Sequence, residues 1–357
     1  MYPNGQNGFN GAPPEGNFGG NRPPFYGGGF YGQPLWMDPR EVERRNERRK
    51  IRRHMNWIGG GALLTLAFET VFMTLAVTFF MALGLSYSDF YEYAAMYVVF
   101  SPVCIALPFV ISAKACKFRV SDIVTFKKHS PLLGIGVFLL AFWGIAAGNI
   151  AADVLVSVVP ALEASSSAAD LPVSNGVIQI VTELLYAAAI PALIEEFAFR
   201  GIITGGCRKW GDKFAIVIGS VFFALNHGNL VQMPATFIAG LFMGYAYVRT
   251  GCLWTSIAIH FANNAMSIAL STLSEKFAFM NTPWFVLVLY ASWVLMGLVG
   301  FILVKIHDRR LEGKPALKKY EGCLDAGGVA GVAASSPAVI VAFAVFVLYA
   351  VGLNVML

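Results

Sequence analysis

Three short stretches carry side chains that could do chemistry. Glu195, Glu196 and Arg200 lie in LIEEFAFRGIITGG, His227 closes SVFFALNH, and His260, Asn263 and Asn264 sit in LWTSIAIHFANNAMSI. The surrounding sequence is almost unbroken apolar residue, and two of the chain's five histidines are here. Ionisable groups at membrane depth are costly and by default point to function. Residues four apart share a helix face, so Glu196 pairs with Arg200, while Glu195, turned by about 100°, faces elsewhere and stays available as a general base. His260 and Asn264 share a face for the same reason. One glutamate with two histidines admits two chemistries. A His₂Glu set can hold Zn²⁺, or the same three groups can position and deprotonate a water without metal. Asn264 is a poor metal ligand and a good oxyanion donor, which favours the metal-free reading with no cofactor.

Each residue also has a plainer explanation. A lone intramembrane histidine is more often a packed hydrogen-bonder, and a Glu-Glu pair before an arginine is often a solvated helix end. Glu69 and Asp153, and with them Asn149 and Glu183, are other polar residues in apolar runs. Glu69 and Asp153 are read as satisfied interhelical bonders. Three polar clusters on three consecutive apolar runs are harder to explain by packing, because each carries its own burial penalty.

The elements that must hold these residues are membrane helices. The 357-residue chain is 57% hydrophobic and 13% charged, which excludes a soluble globular protein. Apolar runs cover 58–86, 93–113, 131–159, 177–194, 214–227, 231–248, 252–272, 283–306 and 336–357. A span needs roughly 20 residues, so 214–227 is short and is expected to break at His227 against buried partners. The fold class expected is an all-α polytopic bundle of about nine transmembrane helices. Basic connections (the tract before 55, 114–128, 200–213, Arg249 and 305–319) alternate with acidic or neutral ones (86–92, 160–175, 228–230 and 273–282). That alternation predicts a cytosolic N-terminus and an outer C-terminus. Gly240 and Gly244 form GxxxG, a close-packing signal.

Residues 1–37, rich in Gly, Asn and Pro, read as a disordered cytosolic tail. Residues 38–54 read as a basic juxtamembrane segment. Eight Lys/Arg between Arg40 and Arg53 predict anionic lipid as the partner and argue against nucleic acid. The core spans 55–306, a polar then Gly/Ala-rich linker 307–335, and a last helix 336–357. Five scattered cysteines predict reduced thiols. No secretory signal is visible ahead of the first apolar run.

EEFAFR fits EExxxR, Phe223 to His227 fits FxxxH, and His260 to Asn264 fits HxxxN. In these motifs, with the GYxxxRTG-like segment Gly244–Gly251, the chain resembles the CPBP family of intramembrane proteases (the CAAX-protease and bacteriocin-processing, or Abi, family). The protease-like region is 177–272. The resemblance implies a glutamate-type endopeptidase acting on a membrane-associated protein or peptide, in a bacterial plasma membrane. It implies that Glu195 and His227 activate water, that His260 and Asn264 stabilise the oxyanion, and that Glu196 and Arg200 support them. Two readings from other classes are a non-catalytic scaffold on the same fold and a proton-coupled transporter using Glu183, Glu195 and the histidines. The transporter reading is weakened by the lack of an internal repeat.

Overall fold

The computed structural model describes residues 38–85, 90–162, 176–310 and 317–356, so the expected N-terminal tail lies outside the described residues. Every apolar run is helical there: α1 (Pro39–Ala82), α2 (Phe90–Ala115), α3 (Pro131–Val158), α4 (Val177–Trp210), α5 (Asp212–Asn226), α6 (Gln232–Thr250), α7 (Leu253–Lys276) and α8 (Pro283–Arg309). A short α9 (Ala326–Ala334) and α10 (Pro337–Met356) follow. With no water to satisfy backbone groups, helices are the expected way for apolar segments like these to cross a bilayer. Among the described residues, α1, α2, α3, α4 and α8 are long and apolar enough to span, and a sixth span results if α9 and α10, bent by 63°, count as one. The molecule is therefore a multi-pass membrane bundle. α5, α6 and α7, the last of which carries His260, Asn263 and Asn264, fall below that measure, because they are short or diluted with polar side chains.

Two boundaries differ from the sequence reading. The basic tract and the first apolar run form one 44-residue helix with no break at 54. At 1.5 Å per residue that is roughly 66 Å, about twice the hydrocarbon thickness, so its arginine-rich half extends beyond the bilayer core. The run ending at 194 is likewise no helix end. α4 continues to Trp210, and Arg200, expected near a boundary, is 1% exposed inside the bundle. A charge can be carried that deep because Glu196 lies one turn away.

Small residues bring the helices together. A Cβ on Gly300 of α8 would sit 2.2 Å from the Leu140 nitrogen and 2.6 Å from the Gly136 oxygen of α3. On α6, a Cβ on Gly240 would sit 3.1 Å from Ser220 and one on Gly244 3.2 Å from Ile216 of α5, both closer than ordinary van der Waals contact. The GxxxG signal thus marks a real α5–α6 contact, of the kind that lets membrane helices approach without a hydrophobic driving force.

The connections predicted to share one side meet one another. Trp210 donates its indole N–H to Glu47 (2.9 Å), and Asp212 exchanges hydrogen bonds with the Lys318 backbone (3.0 and 2.8 Å). Thr125 and Lys127 pair with the turn at Gly251, where Phe126 and Cys252 form an antiparallel bridge. Gly251 takes φ +64°, the left-handed value that ends α6 and that glycine adopts at no steric cost. Arg249 pairs with Asp308 of α8. The backbone N–H of Ala338, at the start of α10, donates to Asn56 of α1 (3.1 Å).

Gly300→Ala should lower the melting temperature in detergent sharply, by the 1–3 kcal/mol or more of an overpacked core, because its contacts are backbone that cannot turn aside. Gly60→Ala, with nothing within 4 Å of the added Cβ, should be neutral or slightly stabilising. Equal melting temperatures for the two variants would contradict this helix packing.

Candidate active site

The EExxxR stretch lies on a widened part of α4. Residues 184–189 and 196–204 are π-helical, separated by a turn that contains Pro191. Thr204 Oγ1 donates to Phe199 O, five residues back (2.9 Å). Such widened turns are uncommon and recur at functional sites. Here they bring both glutamates and Arg200 into the protein interior.

Glu196 is the hub. Its Oε1 lies 2.8 Å from Arg200 Nη1 and accepts from His260 Nδ1 (3.0 Å), and the carboxylate is 0% exposed. The Arg200 guanidinium meets it as an ion pair without hydrogen-bond alignment, and its carbon sits 4.0 Å from the centre of the Phe223 ring. That cation–π contact takes up charge where water is absent. Both imidazoles also pack on Phe223, His227 at 4.8 Å and His260 at 5.6 Å between ring centres. Phe223 is therefore the floor on which Arg200, His227 and His260 are assembled.

The tautomers follow from the partners. His227 Nδ1 is 2.8 Å from the Phe223 carbonyl, which can only accept, so Nδ1 carries the proton and Nε2 holds a free lone pair. His260 Nδ1 faces a carboxylate, so it too is protonated there. Among the described residues, neither Nε2 atom has a hydrogen-bond partner. The i, i+4 spacing of FxxxH has a direct cause: the phenylalanine carbonyl fixes the histidine one turn later.

Glu195 is buried, and its Oε2 has no hydrogen-bond partner among the described residues. It lies within electrostatic reach of His227 and Arg200. A cavity of ≈90 Å³ is lined by Phe223, His227, His260, Asn263 and Asn264, with Asn149 and Thr236. That is the room of a few waters at roughly 30 Å³ each. Glu195 itself is not among the lining residues.

Asn264 is already engaged. Its Nδ2 donates to Ala187 O (3.2 Å), and its Oδ1 accepts from Asn263 (3.2 Å). Pro191, lacking an N–H, cannot serve the Ala187 carbonyl four residues earlier in the usual helical way. The amide of Asn264 takes that place and docks α7 on α4, with one N–H of the amide still uncommitted. Among the described residues, no three His, Cys, Asp or Glu side chains are grouped to hold a metal ion. Both histidines spend one nitrogen on Phe223 O or Glu196.

Several contributors are not legible as spacing. Asn149 of α3 and Thr236 of α6 reach the cavity from helices outside the motifs. Glu69 of α1 lies within electrostatic reach of Glu195, whereas the sequence suggested only a bonding role. Asp153 does accept from a neighbouring helix, through Tyr290 OH (3.3 Å).

Residues 177–266 match the family model described as "Type II CAAX prenyl endopeptidase Rce1-like". The chain is similar to "Membrane-embedded CAAX protease MroQ" of Staphylococcus aureus (strain USA300), 29% identical over 100 residues, and to "Putative membrane peptidase YdiL" of Bacillus subtilis (strain 168), 30% identical over 96 residues. Each match covers 26% of this chain, which spans 40% and 39% of the length of those relatives. No solved structure is matched. The matched segment contains Glu195, Glu196, Arg200, His227, His260 and Asn264, and over it the chain is similar to the Rce1-like CAAX-protease family.

Proposed function

We propose that this protein is an intramembrane endopeptidase of the glutamate type, cutting a peptide bond in a membrane-associated protein or peptide. The observation that carries the reading is the pairing of two histidines, each with Nδ1 tied and Nε2 free, beside a buried glutamate that has no partner for one oxygen. Solvated caps or packing histidines would not need that arrangement. The chemistry follows from the donors. Glu195, with His227 Nε2, takes a proton from water as its oxygen bonds to the scissile carbonyl carbon. The carbonyl π-electrons move to oxygen, and the oxyanion is met on the Nε2 side of His260 and by the uncommitted N–H of Asn264. Glu196 holds the His260 ring through Nδ1, as an acid orients a catalytic histidine elsewhere. The proton then passes to the amide nitrogen as the C–N bond breaks, giving an acid and an amine.

No metal is assigned to this reaction. The matched family model is described as a CAAX prenyl endopeptidase. The substrate class proposed here is the wider one of membrane-bound peptides, since both similar proteins come from bacteria, where prenylated proteins are not general. The host is proposed to be bacterial and the location its plasma membrane, with nine crossings and a cytosolic N-terminus. The mutual contacts of the basic connections support that topology. The cleft bounded by Arg45, Arg48, Arg49, Arg52 and Arg53, with Trp57, supports anionic lipid headgroups as partners of the basic segment.

Three measurements test these roles. In proteoliposomes carrying a cleavable membrane peptide, Glu195→Gln should abolish cleavage at an unchanged melting temperature, and chelators should leave the wild type active. Glu196→Gln should instead cost about 3–5 kcal/mol of stability, because it strands Arg200 as an unpaired buried charge. Equal destabilisation by both substitutions would refute the division of labour.

Asn264→Ala should lower kcat by roughly 10²–10³ with little change in KM, the range for loss of one oxyanion donor. Asn263→Ala should fall well short of that. If Asn264 only docks α7 on Ala187, stability will drop while kcat per folded molecule holds, and the oxyanion role will be wrong.

In a cysteine-free background, a membrane-impermeant thiol reagent applied to sealed cells should label Lys276→Cys and spare Lys319→Cys. The reverse pattern would invert the topology.

A further inference from the structure

A second cleft, of ≈500 Å³, lies between α3, α5, α6 and α8, away from Glu195 and both histidines. Its size falls in the range of ligand pockets, roughly 300–1,000 Å³. The walls are apolar: Leu140, Ile216, Val217, Leu241, Phe242 and Phe301. Val217 and Phe301 are exposed, 44% and 39%, so the cleft opens laterally, where lipid would lie. Its polar residues gather at one end. Lys213 is one turn before Val217 on α5, Tyr245 one turn after Leu241 on α6, and Lys305 one turn after Phe301 on α8.

The charge at that end does not cancel internally. Asp308, the acid in the lining, is bound by Arg249, which also donates to Tyr245. Lys213 and Lys305 make no ion pair or hydrogen bond among the described residues, and Lys305 only leans over the Phe301 ring at 5.3 Å. Two unpaired cations thus stand at the rim of an apolar slot, on the same side as the basic connections. A neutral apolar guest would not use the lysines, and a soluble anion would not use the slot.

We propose that this cleft is a binding site for an anionic phospholipid, its phosphate between Lys213 and Lys305 and one acyl chain along Ile216, Leu241 and Phe301. Basic pockets between membrane helices on the cytoplasmic side take such headgroups. The site differs from the arginine-lined cleft on α1, whose lining adds only Asn56 and Trp57 to five arginines.

Native mass spectrometry of the full-length protein, released from detergent with phosphatidylglycerol or phosphatidylcholine, tests this without reference to cleavage. One phosphatidylglycerol should be retained in preference to phosphatidylcholine. Lys213→Gln with Lys305→Gln should weaken it by about 25-fold, fivefold for each cation worth about 1 kcal/mol near an anionic surface. Both lysines are exposed, so the double variant should keep its melting temperature. Val217→Trp, which fills the slot, should weaken retention with both lysines intact, and Arg48→Gln with Arg52→Gln should leave this lipid in place. Equal retention of the two lipids, indifference to the lysine pair, loss through the arginine pair, displacement by glycerol phosphate without acyl chains, or a protein dimer formed through this face would each overturn the proposal.

Discussion

One carboxylate oxygen holds the centre of this protein together. Glu196 Oε1 meets Arg200 at 2.8 Å and His260 at 3.0 Å in a place closed to solvent. Neither the anion nor the cation could be carried there alone, since stranding a buried charge costs several kcal/mol. Their pairing lets α4 continue as a helix past the point where its apolar run stops. It also ties α7 to α4 through His260, and the Asn264 bond to Ala187 ties the same two helices again. Phe223 completes the arrangement by giving Arg200 a ring face and both imidazoles a packing edge.

The rest of the bundle can be understood as what keeps that centre dry and in register. Glycines on α3, α6 and α8 let backbones approach to contact distance, so their neighbours cannot slide without clashing. At one end the connections interlock through Trp210 and Glu47, Asp212 and the Lys318 backbone, Thr125 and Gly251, and Arg249 and Asp308. These bonds lie where the chain turns, so they fix the relative heights of α1, α4, α5, α6, α7 and α8. The opposite side of the centre keeps a small polar cavity, with asparagines and a threonine beside the two imidazoles. A rigid lattice around a small polar cavity is the arrangement that the proposed water-based hydrolysis needs, because donors must be aimed before charge develops.

Much of this was legible in the chain itself. Hydropathy located the apolar runs that form the long helices, because a polar gap between apolar stretches is costly to bury, but it missed the start of α1, the end of α4 and the short α9. The i, i+4 spacings identified Glu196 with Arg200 and His260 with Asn264 as sharing a helix face, since local geometry alone sets who shares one. The EExxxR, FxxxH and HxxxN motifs contain Arg200, His227 and His260, which pack on Phe223.

What tertiary structure decided lies between helices, where spacing carries no information. That Glu196 serves His260 as well as Arg200 depends on how α7 crosses α4, and no periodicity encodes a crossing. That Asn264 bonds Ala187 follows from a proline on another helix and a carbonyl it cannot serve. Asn149, Thr236 and Glu69 come near the site from helices whose sequences resemble any other apolar run. The amino-acid order determined which groups had to be buried, because charge and hydrophobicity are properties of residues. Which of those groups satisfy one another was left to packing, because a buried charge takes its partner from whatever the folded bundle brings within 3 Å.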